Sequence, residues 1–291
     1  VLDPLDRLSR NGYEITLLDV DQYETPTAGR IDLDRLTEAI RTDTCLVSVM
    51  LANNEIGVVQ DIAAIGEICK RKDVLFHCDA TQAVGRVLID VQHMKVDLLS
   101  ISAHKFYGPK GIGALFVRKR SPNVRLEPLV TGGGQENGLR SGTVNPAGIV
   151  GMATAMQIAV NEMAVENRTL FEKRNRLYTQ LAERIPDLVL NGPSLKLSAI
   201  RLPNNLNISF SNVDGEALMM SMRELAVSSG SACSSTNPEP SHVLRSIGLS
   251  DDMTRASLRF GLGRFNTEDE IDFAIELVTR SVSRLRTMKS G

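Results

Sequence analysis

The chain has 291 residues, 42% hydrophobic and 23% charged, and its 33 basic and 35 acidic residues give a formal net charge of −2. This length provides a core for one large domain or two ordinary ones, in a composition typical of soluble globular proteins. The charge argues against direct nucleic-acid binding or an anionic membrane surface, and no apolar run approaches the roughly 18 residues of a membrane span.

Predicted strands and helices alternate through the first half of the chain. The predicted strands cover residues 13–18, 45–50, 74–79, 100–105 and 113–117. One predicted helix places Leu36 and Ile40 on a single face, and the next begins after the N-cap residue Asp61. Apolar strands separated by helices predict an α/β fold, with a mostly parallel sheet covered by helices on both faces.

The second half predicts a smaller α/β domain. Pro146 opens a predicted long helix that Pro186 closes, and residues 205–210 alternate as a half-buried strand. Thr267 and Glu270 have the spacing of a capping box before a final helix.

We therefore predict two domains joined by the long helix. Residues 1–160 form the large domain, which binds any cofactor, and residues 161–291 form the smaller one. The smaller domain carries a loop of small polar residues around Cys233.

Polar side chains follow three predicted strands of the large domain, namely Asn54, Asp79 and Lys105. In open sheets of this kind, ligands bind beyond the carboxyl ends of the strands. A lysine can hold pyridoxal phosphate as a Schiff base, and a carboxylate can keep the pyridine nitrogen protonated, so that the ring acts as an electron sink. Singly, Lys105 suits a loop and Asp79 a helix cap, but together they favour a cofactor site.

The four cysteines form no C-x-x-C pair, so the sequence shows no zinc signature. Cys45, Cys69 and Cys78 lie in apolar patterns and are predicted to be buried packing residues in a reducing compartment. Cys233 lies among Ser, Gly, Asn and Pro residues, which is typical of an exposed loop. A reactive thiol and a chance exposed cysteine are equally compatible with that loop.

Five motifs in order resemble those of cysteine desulfurases of the IscS/NifS family, which are fold-type-I pyridoxal-phosphate transferases. They are Asn53-Asn54-Glu55-Ile56-Gly57, His77-Cys78-Asp79-Ala80-Thr81-Gln82, Ser102-Ala103-His104-Lys105, Arg140-Ser141-Gly142-Thr143 and Ser228-Ser229-Gly230-Ser231-Ala232-Cys233. The similarity covers nearly the whole chain. The long loop around Cys233 is similar to the IscS/NifS branch rather than to the SufS branch.

The resemblance implies how the chain would hold pyridoxal 5'-phosphate. Lys105 would bind the cofactor covalently and later carry the α-proton of the substrate. Asp79 would pair with the pyridinium nitrogen, and Gln82 with the phenolic oxygen. Ser102 and His104 would bind the phosphate, although His104 by itself suits a hydrogen-bonded residue at a strand end.

The resemblance also implies the substrate site and the active unit. Asn54 would contact the cofactor and, with Arg259, hold the carboxylate of L-cysteine, a bidentate task that suits a guanidinium. By residue type alone, Arg259 suits a surface ion pair and Asn54 a turn. Thr143 would reach the phosphate of the neighbouring subunit, so the implied active unit is a homodimer.

The implied reaction takes sulfur from L-cysteine, leaves a persulfide on Cys233 and releases L-alanine. The implied acceptors are an iron–sulfur scaffold protein, for cluster assembly, and a relay for tRNA thiolation. The expected location is the cytoplasm, or the mitochondrial matrix in a eukaryote, without a membrane or direct nucleic-acid binding.

Family members carry about a hundred further residues before the position of Val1, given the usual size of such a domain. Those residues include a Gly-Ala-Thr phosphate loop and a histidine that stacks on the cofactor. We therefore expect the chain to be a fragment with an incomplete large domain, weak cofactor binding and uncovered apolar surface.

Two alternatives stay open. A selenocysteine lyase or cysteine-sulfinate lyase would use the same cofactor, but it would tolerate Cys233→Ala with its own substrate. A non-catalytic binding module is compatible with the incomplete domain. However, such a scaffold would be expected to lose costly polar groups, and Lys105, Asp79, Gln82 and Cys233 are all present.

Overall fold

The computed structural model describes residues 2–119, 124–229 and 240–290, with side chains as far as residue 288. These residues form two four-stranded sheets, one in each half of the chain. The first half contains α1 (Leu2–Arg10), α2 (Leu33–Ala39), β1 (Leu46–Met50), α3 (Ile62–Arg71), β2 (Leu75–Asp79), β3 (Leu98–Ser102) and β4 (Gly113–Val117).

The first sheet is mostly parallel, as predicted. Its strand order is β1-β2-β3-β4, with β1, β2 and β3 parallel and β4 antiparallel to β3. Asp32 and Asp61 begin α2 and α3, because their carboxylates accept hydrogen bonds from backbone amides of the first turn. The apolar faces of both helices then share one buried core with the sheet, which includes Leu36, Ile65 and Phe76.

The predictions for residues 13–18 and for Cys45 were wrong. In the described structure, residues 13–18 follow an irregular path and form no strand, although Val20 makes an isolated bridge with Ile31. Their apolar alternation suits a strand, but an isolated strand is not stable without a neighbour that pairs with its backbone groups. Cys45 is exposed because it precedes β1 at the edge of the sheet, whereas Cys69 and Cys78 are buried as predicted.

The second half forms an antiparallel sheet in the order β5-β6-β8-β7. Its elements are α4 (Pro146–Arg184), β5 (Leu188–Asn191), β6 (Asn205–Phe210), α5 (Gly215–Ser221), β7 (Ser228–Ser229), α6 (His242–Ser246), α7 (Asp251–Arg255), β8 (Ser257–Gly261) and α8 (Glu268–Ser290). The predicted strand at 205–210 is confirmed as β6, but the expected half-burial was wrong, because β6 is buried along its whole length between β5 and β8. The capping box is also confirmed, because the Thr267 amide donates to Glu270 Oε2 over 3.0 Å and the Glu270 amide donates to Thr267 Oγ1 over 3.2 Å.

The long helix α4 begins at Pro146 as predicted and has 39 residues. Its second half joins the core of the second sheet through Leu170, Leu177 and Leu181. Its first half leaves Val150 and Val160 exposed. The two-domain boundary at residue 160 falls inside this helix and stays a prediction.

The long helix α4 bears on the expectation that no apolar run has the length of a membrane span. Among the described residues, α4 contains an 18-residue window with a mean hydropathy of 1.2. By length and composition, this helix is therefore apolar and long enough to cross a membrane. Occasional polar residues interrupt this window, so it contains no continuous apolar run. A single helix of this composition is also found in soluble proteins, where it is mostly buried, but only 11% of this window is buried.

Gly66 provides a test of how closely α3 packs against the loop that contains Met94. An alanine Cβ at this position would lie 2.1 Å from the Met94 carbonyl oxygen. Helix propensity favours alanine over glycine by about 1 kcal/mol, but overpacking costs about 1–3 kcal/mol, so we expect Gly66→Ala to lower the free energy of unfolding. Urea denaturation measures the change, with Ala63→Gly as a propensity control. An unchanged or higher stability of Gly66→Ala would contradict this packing.

Candidate active site

Asp79 lies at the carboxyl end of β2, between the ends of the two neighbouring strands. It pairs in register with Met50 of β1 and Ser100 of β3. Its Oδ1 accepts a hydrogen bond from the Thr81 amide over 3.0 Å, and its carbonyl accepts one from the Leu51 amide over 2.8 Å. The carboxylate is therefore fixed, half-buried, at the sheet edge where ligands bind in folds of this kind.

His77 supports this edge from one step inside the sheet. Its Nδ1 lies 2.8 Å from Ser48 Oγ, and its Nε2 lies 2.8 Å from Ser100 Oγ. A neutral imidazole offers one donor and one acceptor, which two hydroxyl groups can match. Burial lowers the pKa of His77, and this outweighs the opposing effect of the Asp79 charge.

Lys105 lies on a 3-10 turn, Ala103–Phe106, directly after β3. The predicted strand continued to Lys105, but it ends at Ser102 because the chain turns back there. The Gly108 amide donates to the Ala103 carbonyl over 2.9 Å, and Tyr107 adopts a left-handed φ of 67°. Ala103 and Phe106 are buried by this turn, which leaves the Lys105 side chain exposed.

The two proposed phosphate ligands lie beside Lys105. Ser102 Oγ lies 2.9 Å from His104 Nδ1, so a hydrogen bond connects the hydroxyl and the imidazole. Gln82 is half-buried in the turn that follows Asp79. Thr143 is exposed and lies three residues before α4, where a neighbouring subunit could reach it.

Arg259 and Asn54 meet, although 205 residues separate them in the chain. Arg259 Nη1 donates to the Asn54 carbonyl oxygen over 3.0 Å, and Arg259 Nη2 donates to Ser228 Oγ over 3.2 Å. Arg259 lies on β8 of the second sheet, and Asn54 lies in the loop after β1 of the first. Cys233, the predicted sulfur-carrying residue, lies outside the described residues.

A second contact between the halves involves residues that the sequence analysis did not identify. The Tyr107 hydroxyl accepts a hydrogen bond from the Arg264 amide over 2.9 Å, and the Arg264 guanidinium lies 4.4 Å from the centre of the Tyr107 ring. Glu166 of α4 joins Arg264 and Arg86 with contacts of 2.8 and 2.7 Å. The four residues are far apart in sequence and occur in no spacing that would have identified them.

These side chains fit pyridoxal phosphate by their chemistry. Asp79 provides a fixed carboxylate that can accept a bond from a pyridinium N–H, and Lys105 provides an amine. Ser102 and His104 provide a hydroxyl and an imidazole in the same turn, which suit a phosphate. Acceptor, amine and phosphate ligands thus lie on neighbouring strands of one sheet edge.

Three comparisons describe what the chain is similar to. Residues 2–273 match the family model for aminotransferase class-V. The chain is 54% identical to cysteine desulfurase IscS from Histophilus somni (strain 2336) over 288 residues, covering 99% of this chain and 69% of that protein. It is 53% identical to cysteine desulfurase IscS from Escherichia coli O139:H28, with the same coverage.

The fold is also similar to that of a solved NifS-like protein. The TM-score is 0.85 at 35% sequence identity, and the match covers 98% of this chain and 72% of that one. The coverage agrees with the expectation that the relatives have further residues. These similarities do not favour a selenocysteine lyase or a non-catalytic module.

His77 predicts a pH dependence of stability. Because burial lowers its pKa below the ordinary value of 6.5, its stabilising effect is present above that value and is lost as the pH falls towards the lower pKa of the folded state. Compared with His77→Gln, we expect the wild type to lose free energy of unfolding between about pH 7.5 and about pH 5.5, by less than about 1.4 kcal/mol per pH unit. Urea denaturation at both pH values measures the change. Equal changes for the two proteins would contradict a half-buried, neutral His77.

Proposed function

The chain belongs to the class-V aminotransferase family and, within it, to the cysteine desulfurases, and from this premise we propose how its residues release sulfur from L-cysteine. The enzymes of this family use pyridoxal phosphate. The observation that carries the proposal is the meeting of Arg259 with Asn54, because it brings a substrate-binding cation from the second sheet to the edge of the first.

Pyridoxal phosphate, when bound, withdraws electrons from the substrate and so weakens the bond to its sulfur atom. Lys105 attaches the cofactor through its amine and afterwards moves the α-proton of the substrate. Asp79 accepts a hydrogen bond from the pyridinium nitrogen, and Gln82 bonds the phenolic oxygen. Ser102 and His104 hold the phosphate, together with Thr143 of the neighbouring subunit.

Arg259 and Asn54 orient the substrate. The guanidinium of Arg259 binds the carboxylate of L-cysteine, and its bond to the Asn54 carbonyl limits the directions in which it can point. The Asn54 side chain is half-buried at the same loop and contacts cofactor and carboxylate. With the carboxylate fixed, the sulfur of the substrate can be presented to one nucleophile.

Cys233 is the nucleophile that receives the sulfur. Its thiolate attacks the sulfur of the substrate, so that an S–S bond forms as the C–S bond breaks. The electron pair of the C–S bond stays on the β-carbon, which is then protonated, and the released product is L-alanine. The persulfide on Cys233 passes its outer sulfur to acceptor proteins, which we propose include an iron–sulfur scaffold protein and a relay for tRNA thiolation.

We also propose that residues 1–160 form the cofactor-binding domain, that residues 161–291 form the smaller domain, and that the active unit is a homodimer. Support for the homodimer comes from the exposed apolar residues Leu129, Val130 and Val150 on either side of Thr143. Apolar surface of this kind is typical of protein interfaces. The relatives described above are bacterial, which supports a cytoplasmic location.

Lys105 and Cys233 can be tested separately. With added pyridoxal phosphate, we expect a visible absorption band that Lys105→Ala abolishes and that shifts when L-cysteine is added. In Cys233→Ser the same band and shift should remain, while release of L-alanine falls by about a hundredfold or more, because no nucleophile accepts the sulfur. Full alanine release by Cys233→Ser would contradict the role of Cys233.

If the chain alone gives no band, the measurement is repeated with the N-terminal residues of its relatives joined to it. A band in that longer protein assigns the loss to the additional residues. No band in either protein contradicts the cofactor site.

The homodimer can be tested by a charge on α4. Val150 is 64% exposed, and we expect Val150→Glu to convert a dimer into a monomer, because a desolvated carboxylate would oppose association. Light scattering coupled to size-exclusion chromatography measures the mass. Leu17→Glu is the control, since Leu17 is 66% exposed in the irregular N-terminal stretch. A dimer that persists in Val150→Glu excludes this face as the interface.

A further inference from the structure

The described residues on both sides of residues 230–239, which include Cys233, are linked to the same loop of the first sheet, directly on one side and through Arg259 on the other. On the N-terminal side, Ser228 pairs in register with Arg259 and accepts a hydrogen bond from it, and Arg259 in turn donates to the Asn54 carbonyl. On the C-terminal side, Ser241 Oγ donates to Glu55 Oε2 over 2.5 Å. Glu55 thus binds the described flank at Ser241 directly, and Asn54 binds the flank at Ser228 through Arg259.

The hydrogen bond between Ser241 and Glu55 is buried, and it uses the one proton of the Ser241 hydroxyl. Glu55 is 7% exposed and Ser241 is 4% exposed. The Ser241 oxygen also accepts hydrogen bonds from the amides of Val243 and Leu244, each over 3.2 Å, and so begins α6. Because that oxygen already accepts twice, its single proton is left for Glu55.

Glu55 is held rigidly in its own loop. Its amide donates to Asn53 Oδ1 over 2.8 Å, and its carbonyl accepts from the side-chain amides of Asn205 and Asn207, each over 3.1 Å. Desolvation raises the pKa of Glu55, while the Ser241 hydroxyl, His242 and Arg259 oppose that rise. Burying the Glu55 carboxyl group therefore has a desolvation cost, and the chemistry assigned to Lys105, Asp79 and Cys233 gives Glu55 no role.

Apolar packing reinforces the same contact. Ile56 and Val58 share a buried cluster with Leu244 of α6 and with Ile247, the residue that follows α6. The packing holds α6 against the loop, but it is not directional. The bond from Ser241 to Glu55 supplies the direction, because a hydrogen bond weakens steeply when its angle departs from the preferred one.

We propose that Glu55 is a positioning residue for sulfur transfer, which fixes the C-terminal end of the segment carrying Cys233 relative to Asn54 and Arg259. This inference rests on the proposed function, in which Cys233 attacks the substrate held by Arg259. Glu55 acts through Ser241 and α6 and does not touch the reacting atoms.

The test compares two steps in one protein. Holoenzyme is mixed with L-cysteine, and the shift of the visible band and the persulfide trapped on Cys233 are followed in a single turnover. For Glu55→Ala, we expect persulfide formation to slow by about tenfold or more, since small displacements of reacting groups have effects of this size, while the band shift stays within about twofold of the wild-type rate. Glu55→Gln keeps an acceptor oxygen and should restore most of the persulfide rate.

Two cap serines provide a matched pair. Ser241→Ala removes both a helix cap and the bond to Glu55, whereas Ser250→Ala removes the cap of the adjacent helix α7 alone. We expect only Ser241→Ala to slow persulfide formation selectively. In the protein without cofactor, hydrogen exchange of the Val243 and Leu244 amides should become faster in Glu55→Ala, and this readout does not depend on activity.

The outcomes separate the inference from the proposed function. Equal slowing of band shift and persulfide formation in Glu55→Ala, or equal effects of the two serine variants, would overturn the positioning role. If Glu55→Ala does not fold, the serine pair decides. If the wild type forms no persulfide, or Cys233→Ser forms as much, the proposed function fails instead.

Discussion

The structure depends on a small set of hydrogen bonds between side chains of the second sheet and the backbone of one loop of the first. The carbonyls of Asn54 and Glu55 accept bonds from Asn205, Asn207 and Arg259, three residues on the adjacent strands β6 and β8. Such bonds are directional, and leaving a buried partner unpaired is costly, so they fix how the two sheets face each other. Gly57 permits the close approach, because its φ is 71° and a Cβ there would lie 2.8 Å from the Asn205 side-chain oxygen.

This arrangement makes one loop of the first sheet the contact between the proposed cofactor edge and the second sheet. The segment after β1 follows a strand whose neighbour ends in Asp79, so the loop lies at the sheet edge that we propose binds the cofactor. Its Asn54 carbonyl accepts a hydrogen bond from Arg259, the proposed substrate-binding residue. The contact through Tyr107, Arg264 and Glu166 joins the same two halves next to Lys105. Breaking one partner of such a buried charge pair is far more damaging than replacing the pair as a whole, so these contacts specify orientation more than they add stability.

Much of the fold follows from local signals in the sequence. The cap Asp61, the capping box at Thr267 and the apolar strand ending at Asp79 lie where their patterns predict them. Residues 13–18 do not, because strand formation depends on a neighbour that no local pattern reveals. In the proposed site, the motifs point to Asp79, Lys105 and Asn54, and the resemblance to the family adds Arg259. They could not identify Glu166 or the Glu55–Ser241 bond, because buried pairs 80 or more residues apart have no spacing to recognise.

The central claim is that residues of both sheets together deliver the sulfur of L-cysteine to one cysteine of this chain. The most direct measurement is the intact mass of the protein after a short exposure to L-cysteine and pyridoxal phosphate, followed by peptide mapping. We predict one added sulfur atom, removable by a thiol reductant and located on the peptide that contains Cys233, and its amount should fall in Arg259→Ala. An unchanged mass, or sulfur distributed equally over Cys45 and Cys233, would contradict the account.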